Sequence, residues 1–118
     1  MTQEEKQLLL MELCARLPYG VMVRTSISAK PLTCEILSHI INGTNNFTIL
    51  PYFRPMSSMT EEEKEEERKL WDIVTTTRND LHYLYTDFLL SHHLDFRGLI
   101  PMGLALEAPE DMYNIKTE

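Results

Sequence analysis

The stretch at residues 57–74, SSMTEEEKEEERKLWDIV, limits the fold more than any other part of the chain. Thr60 and Glu63 have the spacing of a capping box, and Glu61 to Glu63 fill the turn where the helix dipole favours negative charge. Glu65 and Lys69 add an i,i+4 pair. The first turns carry no apolar stripe. Only Leu70, Trp71, Ile73 and Val74 offer surface to bury. Such a helix begins in solvent and docks through its C-terminal end, so the rest of the chain must supply the core.

The N-terminal segment provides part of that core. Thr2 and Glu5 again have capping-box spacing, and Leu9, Leu10, Leu13, Cys14 and Leu17 recur at steps of three and four. This predicts an amphipathic helix to about Arg16, ended by Pro18. Residues 19–26 alternate Val21 and Val23 with Met22 and Arg24, the pattern of a half-buried strand. ISAK, at 27–30, reads as a turn.

PLTCEILSHIING, at 31–43, admits two readings. The helical one stacks Leu32, Ile36 and Ile40, takes Thr33 as a cap and stops at Asn42–Gly43. The strand alternative makes NGTNN a hairpin loop. Residues 46–55 read as a strand through Phe47, Ile49 and Leu50. Pro51 lacks a donor, which predicts a sheet edge or an extended segment there.

After the charged helix, Thr77 and Asp80 are candidate caps for a helix over about 78–92, with Leu81, Leu84, Tyr85, Phe88 and Leu89 as its buried stripe. Gly98, Pro101 and Gly103 punctuate an apolar tail expected to pack on the body, with fraying from about Asn114. The fold class expected from these elements is α+β: one small domain over 1–118, with three or four helices on a short sheet.

Size and charge narrow the function. The 118 residues are 43% hydrophobic and 25% charged, ordinary values for a globular chain. The net charge of −7 and the lack of a dense basic cluster argue against direct nucleic-acid binding. No apolar run approaches the roughly 20 residues of a membrane span. The acidic start lacks the positive charge of a signal peptide, so a cytoplasmic location is expected. On that basis Cys14 and Cys34 are read as reduced and partly buried, and the NGT and NFT sequons as accidental.

Three groups of residues are candidates for chemistry or binding. His92, His93 and Asp95 are metal-ligating types. A catalytic zinc site takes about three protein ligands, and on a helix only His92 and Asp95 share a face, so a distant His39 or His82 would have to join them. The competing reading is a helix end, with the histidines near the last carbonyls and Asp95 either pairing with Arg97 or capping the next turn. The acidic run at 61–67 is a solvated helix start or a docking surface for a basic partner. PYFRPMSSM, at 51–59, displays Tyr52, Phe53, Arg54, Met56 and Met59, types enriched at binding hot spots, on a chain stiffened by two prolines. Its alternative is a loop whose aromatics fold into the core. No serine sits in a nucleophile elbow. The four glycines are isolated, which leaves no phosphate loop, and no cofactor is expected.

The phrases LPYGV (17–21), PYFRPMSSMTEEE (51–63), HHLDFRGLI (92–100) and GLALEAPEDMY (103–113) resemble a family of short uncharacterised proteins of Bacteroides-type gut bacteria and their phages and mobile elements. The resemblance covers most of the chain except 22–50. It implies a bacterial or phage cytoplasmic protein and transfers no activity, ligand or site residue.

The leading functional expectation is therefore a non-enzymatic interaction module that binds a protein partner or itself through residues 52–59. A metal-dependent hydrolase or nuclease using His92, His93 and Asp95 is the first alternative. An acidic inhibitor of a nucleic-acid-binding host protein is the second.

Overall fold

The computed structural model describes residues 2–25, 28–42, 49–76 and 82–113. They form an α+β domain in which helices α1 (Gln3–Arg16), α2 (Cys34–Asn42), α3 (Glu61–Thr76) and α4 (His82–Ser91) accompany a four-stranded mixed sheet. The strands are β1 (Met22–Arg24), β2 (Ala29–Pro31), β3 (Leu50–Phe53) and β4 (Leu106–Glu107), in the order β2-β1-β3-β4. β1 runs antiparallel to both β2 and β3, and β4 lies parallel to β3. No helix among the described residues is long and apolar enough to cross a membrane.

The capping boxes form as their spacing requires. Thr2 Oγ1 accepts from the Glu5 N–H, and Glu5 accepts from the Thr2 N–H. Thr60 and Glu63 repeat the arrangement at α3. Thr33 caps the α2 side through a bond from the Ile36 N–H, which settles the ambiguous segment as helix. Pro18 does not simply stop α1. It opens a short 3-10 turn, Leu17–Tyr19, that Gly20 closes at φ 72°, a value available to glycine at little cost.

Leu9 and Leu13 from α1 meet Val21, Val23, Leu32, Leu37, Ile49 and Phe53, and the tail adds Leu99, Leu104 and Ala105. A second cluster, Phe88, Leu89 and Leu94, is lined by Met56, Met59, Leu70, Tyr85 and Phe96. The tail therefore packs on the body. α3 docks by its later turns through Leu70 and Val74, but Trp71 and Ile73 stay exposed, against expectation. On its outer face Glu65 pairs with Arg68 rather than with Lys69.

Three sheet features depart from the sequence reading, each for a local reason. The supposed turn at 27–30 contains the start of β2. Its residues are all exposed, so no apolar alternation marks it. The Leu32 N–H donates to Val21 O and the Thr25 N–H to Ser28 O, so Ala29 and Pro31 turn their polar groups to the open edge. Pro31 brings no donor there, which blunts that edge against further pairing.

Pro51, expected at a sheet edge or in an extended segment, is buried in the interior strand β3. Since Val23 turns its own polar groups to β2, its pair with Pro51 lacks direct hydrogen bonds, and the missing N–H points toward β4. The parallel pairing with β4 begins only at Tyr52, one residue later, so no ladder bond is lost. β4 itself is two residues long and too short to leave a pattern. Phe47, the Gly43 stop, the Thr77 and Asp80 caps, Leu81, both sequons and the fraying tail lie outside the described residues.

Candidate functional site

The charged side chains that the fold buries gather around residues 92–100, where α1, the end of β3 and the start of α3 meet. α4 closes with a Schellman motif. The His93 N–H donates to Leu90 O and the Leu94 N–H to Leu89 O. The residue in the left-handed conformation is His93, at φ 60°, where glycine is usual. The chain then pairs with the residue after β3. The Arg54 N–H donates to His93 O, and the Asp95 N–H donates to Arg54 O.

Two ion-pair groups clamp this turn. In the first, Glu12 and Arg16 lie on one face of α1, both with 0% exposure. Arg16 Nε donates to Glu12 Oε2 at 2.9 Å, and Arg16 Nη2 to Leu94 O at 2.7 Å. The Arg16 guanidinium stacks 3.8 Å over the Phe53 ring. Glu12 Oε1 accepts from Arg97 at 2.9 Å. Among the described residues Arg16 Nη1 has no hydrogen-bond partner.

In the second group, Arg54 makes a two-pronged pair with Glu63, at 2.7 and 2.8 Å. Its remaining bonds go to Ser58 Oγ, Ser58 O and His92 O. Glu63 also accepts from the Thr60 N–H and lies 2.8 Å from His92 Nδ1. Hydrogen bonds from Arg54 hold the Glu63 carboxyl down at about 2, overcoming a burial that pushes the other way.

The three proposed metal-ligating residues diverge. His92 turns to Glu63. His93 stacks on Tyr113, with ring centroids 3.7 Å apart and planes within 12°. Asp95 spends both oxygens on backbone, accepting from the Leu99 and Ile100 N–H groups at 2.7 and 2.9 Å. Asp95 is thus a turn cap, and Arg97 pairs with Glu12 instead. His39 lies on α2, and His82 is the exposed first residue of α4. No group of three or more His, Cys, Asp or Glu among the described residues is arranged to hold a metal ion. Cys14 and Cys34 are both free and exposed, not partly buried.

The suggested binding strip at 52–59 is also broken up. Phe53 and Arg54 are buried, one under Arg16 and the other around Glu63, so neither can face a partner. Met56 and Met59 pack against the second core cluster, and Tyr52 is half-buried. Large apolar side chains project elsewhere. Trp71, Ile73 and Tyr83 on α3 and α4 are 51%, 44% and 57% exposed.

Sequence reasoning missed Glu12 and Arg16, although their i,i+4 spacing on the Leu9–Leu13 side of α1 was a readable signal. It also placed Glu63 in a solvated run, where its capping position in fact turns it inward to Arg54. Comparison with protein-family models, with curated proteins and with solved structures finds no match for this chain.

Proposed function

We propose that this chain is a non-enzymatic cytoplasmic interaction module of bacterial or phage origin, and that it binds a protein partner through the α3–α4 hairpin. The observation that carries this reading is the exposure of Trp71 and Ile73 on α3 and Tyr83 on α4, with the exposed carboxylates Glu61, Glu62, Glu65 and Glu66 on the first of these helices. Trp and Tyr are among the residue types that dominate binding hot spots. The buried arginines and carboxylates and the half-buried His92 and His93, by contrast, are committed to holding the 92–100 turn. With a net charge of −7, the complementary partner presents a basic face with apolar positions in it.

Substituting the hairpin is the test. Trp71→Ser with Ile73→Ser should lower retention of a wild-type binding partner at least tenfold in capture from host lysate, with the thermal midpoint unchanged within about 2 °C. Equal retention by both proteins sinks the surface. Trp71 is the only tryptophan, so a blue shift of its emission on complex formation reports its burial directly.

A second reading is favoured by the acidic outer face of α3 alone: an inhibitor that occupies the basic site of a nucleic-acid-binding protein. Its affinity would fall steeply between 50 and 500 mM salt, because exposed charges are screened over about 10 Å at 0.1 M. A complex insensitive to salt excludes it and leaves the apolar contact in charge.

A further inference from the structure

His93 occupies a costly backbone position. For an L-residue the left-handed conformation is about 1–2 kcal/mol less favourable than the right-handed one, and a Schellman motif normally places glycine there. An outlier held by its surroundings points to a role for the side chain. Its ring lies flat on Tyr113, and the Tyr113 hydroxyl is wedged into the sheet. That hydroxyl accepts from the Met22 N–H at 2.8 Å and donates to Tyr52 O at 2.7 Å. Met22 and Tyr52 continue the β1–β3 register beyond Val23 and Pro51, so the phenol replaces a direct ladder bond between the two strands. Burial pushes the Tyr113 hydroxyl up to about 12, so it remains a neutral donor throughout the ordinary pH range.

The surroundings of His93 are cationic. Arg16 from α1 and Arg54 after β3 act on it, and His92 adjoins it. The nearby carboxylates are spent elsewhere: Glu12 on Arg16 and Arg97, Glu63 on Arg54 and His92, Asp95 on backbone. His93 Nδ1 is buried and has no hydrogen-bond partner among the described residues. The neutral tautomer with its proton on Nε2 leaves only a lone pair at that atom, and is assigned on this ground. Protonation would put an unmatched N–H donor there, beside two guanidinium groups.

We propose that His93 and Tyr113 form an acid-released clasp, in which protonation of His93 frees residues 109–113 from the sheet and leaves the Met22 N–H and Tyr52 C=O at the β1–β3 seam without their bridge. The inference is independent of the hairpin interface. Burial first, then Arg16 and Arg54, depress the imidazole from 6.5 to about 4. A depressed histidine is neutral in the closed state while the open state takes up the proton. The clasp is therefore at full strength above about pH 6.5 and weakens as pH falls toward 4.

Amide exchange of the full chain, corrected for intrinsic rates, tests this at Met22 against Leu13, a fully buried residue of α1. Met22 should be less protected than Leu13, and between pH 7 and pH 4 its protection should fall about 100-fold, the ratio set by that depression; global unfolding takes up the same proton, so Leu13 falls with it. His93→Asn tolerates the left-handed backbone and lacks a titrating ring. It should give weak Met22 protection that no longer changes with pH. His92→Gln should keep the wild-type fall. Met22 and Leu13 equally protected at pH 7, a flat wild-type profile, or an unchanged slope in His93→Asn would each overturn the proposal.

Discussion

Glu12→Gln lowers the stability of this protein by about 3–5 kcal/mol, and replacing Glu12 with Leu together with Arg16→Met restores most of the loss. The single change keeps shape and removes charge. It leaves the Arg16 guanidinium at 0% exposure with a carbonyl, the Phe53 ring, the cationic Arg97 and only the more distant charge of Asp95, whose oxygens are bonded to backbone, as neighbours. A buried ion without its counter-charge bears its full desolvation cost, whereas a hydrophobic pair of similar volume bears none. Among the described residues Arg16 is already one bond short at Nη1, so removing the pair also removes a buried donor that none of them satisfies. Urea unfolding at pH 7 reads both effects. With a slope of about 1–3 kcal/mol/M, the single variant's midpoint falls by at least about 1 M. A single-variant loss under about 1 kcal/mol would show that solvent reaches Arg16 and that the pair is not a buried one.

How legible this was in the sequence depended on whether the controlling interaction was local. Both capping boxes, the α2 cap and the apolar stripe of α1 were readable because their partners are three or four residues apart. The α+β class followed from them. β2 was not readable, because an exposed edge strand holding Lys30 and Pro31 is kept in place by backbone bonds and leaves no alternation. Pro51 misled for a subtler reason. The rule that a proline breaks a ladder holds only on the side its nitrogen faces, and that side was fixed by the β1–β2 register and by where β4 starts.

The candidate site was legible in composition and not in geometry. The 92–97 region does gather histidines, an aspartate and an arginine, but their side-chain partners come from α1, α3 and the tail, between 20 and 85 residues away. Sequence spacing left Asp95 either pairing with Arg97 or capping the next turn; the fold takes the second, giving Asp95 to backbone donors at 99 and 100 and Arg97 to Glu12. The strip at 52–59 failed similarly. Phe53 and Arg54 have hot-spot chemistry because stacking and forked hydrogen bonding serve a folded interior as well as an interface. Substituting them therefore measures folding and says nothing of a partner.

Arg54→Met shows which of those bonds matter. Arg54 joins the end of β3 to the first turn of α3 and to the end of α4 through Glu63, Ser58 and His92. Its loss leaves Glu63 buried with only His92 and the Thr60 N–H, and costs about 3–5 kcal/mol at pH 7. The charge on Glu63 makes that cost depend on pH. Its carboxyl is held at about 2 against an ordinary 4.5, first of all by Arg54. A depressed carboxylate stabilises the fold above its unfolded value, and that contribution is lost as pH falls from 4.5 through about 2. The variant has already lost it, so the gap between wild type and Arg54→Met narrows by about 1.5 kcal/mol between pH 7 and pH 3.5. Denaturant titrations of both proteins at the two pH values measure the gap. Narrowing assigns the stabilisation to the Arg54–Glu63 charge pair. An equal gap at both values assigns it to the neutral acceptors on Ser58 and His92, and the first turn of α3 would then be anchored by backbone geometry instead of by the Glu63 carboxylate.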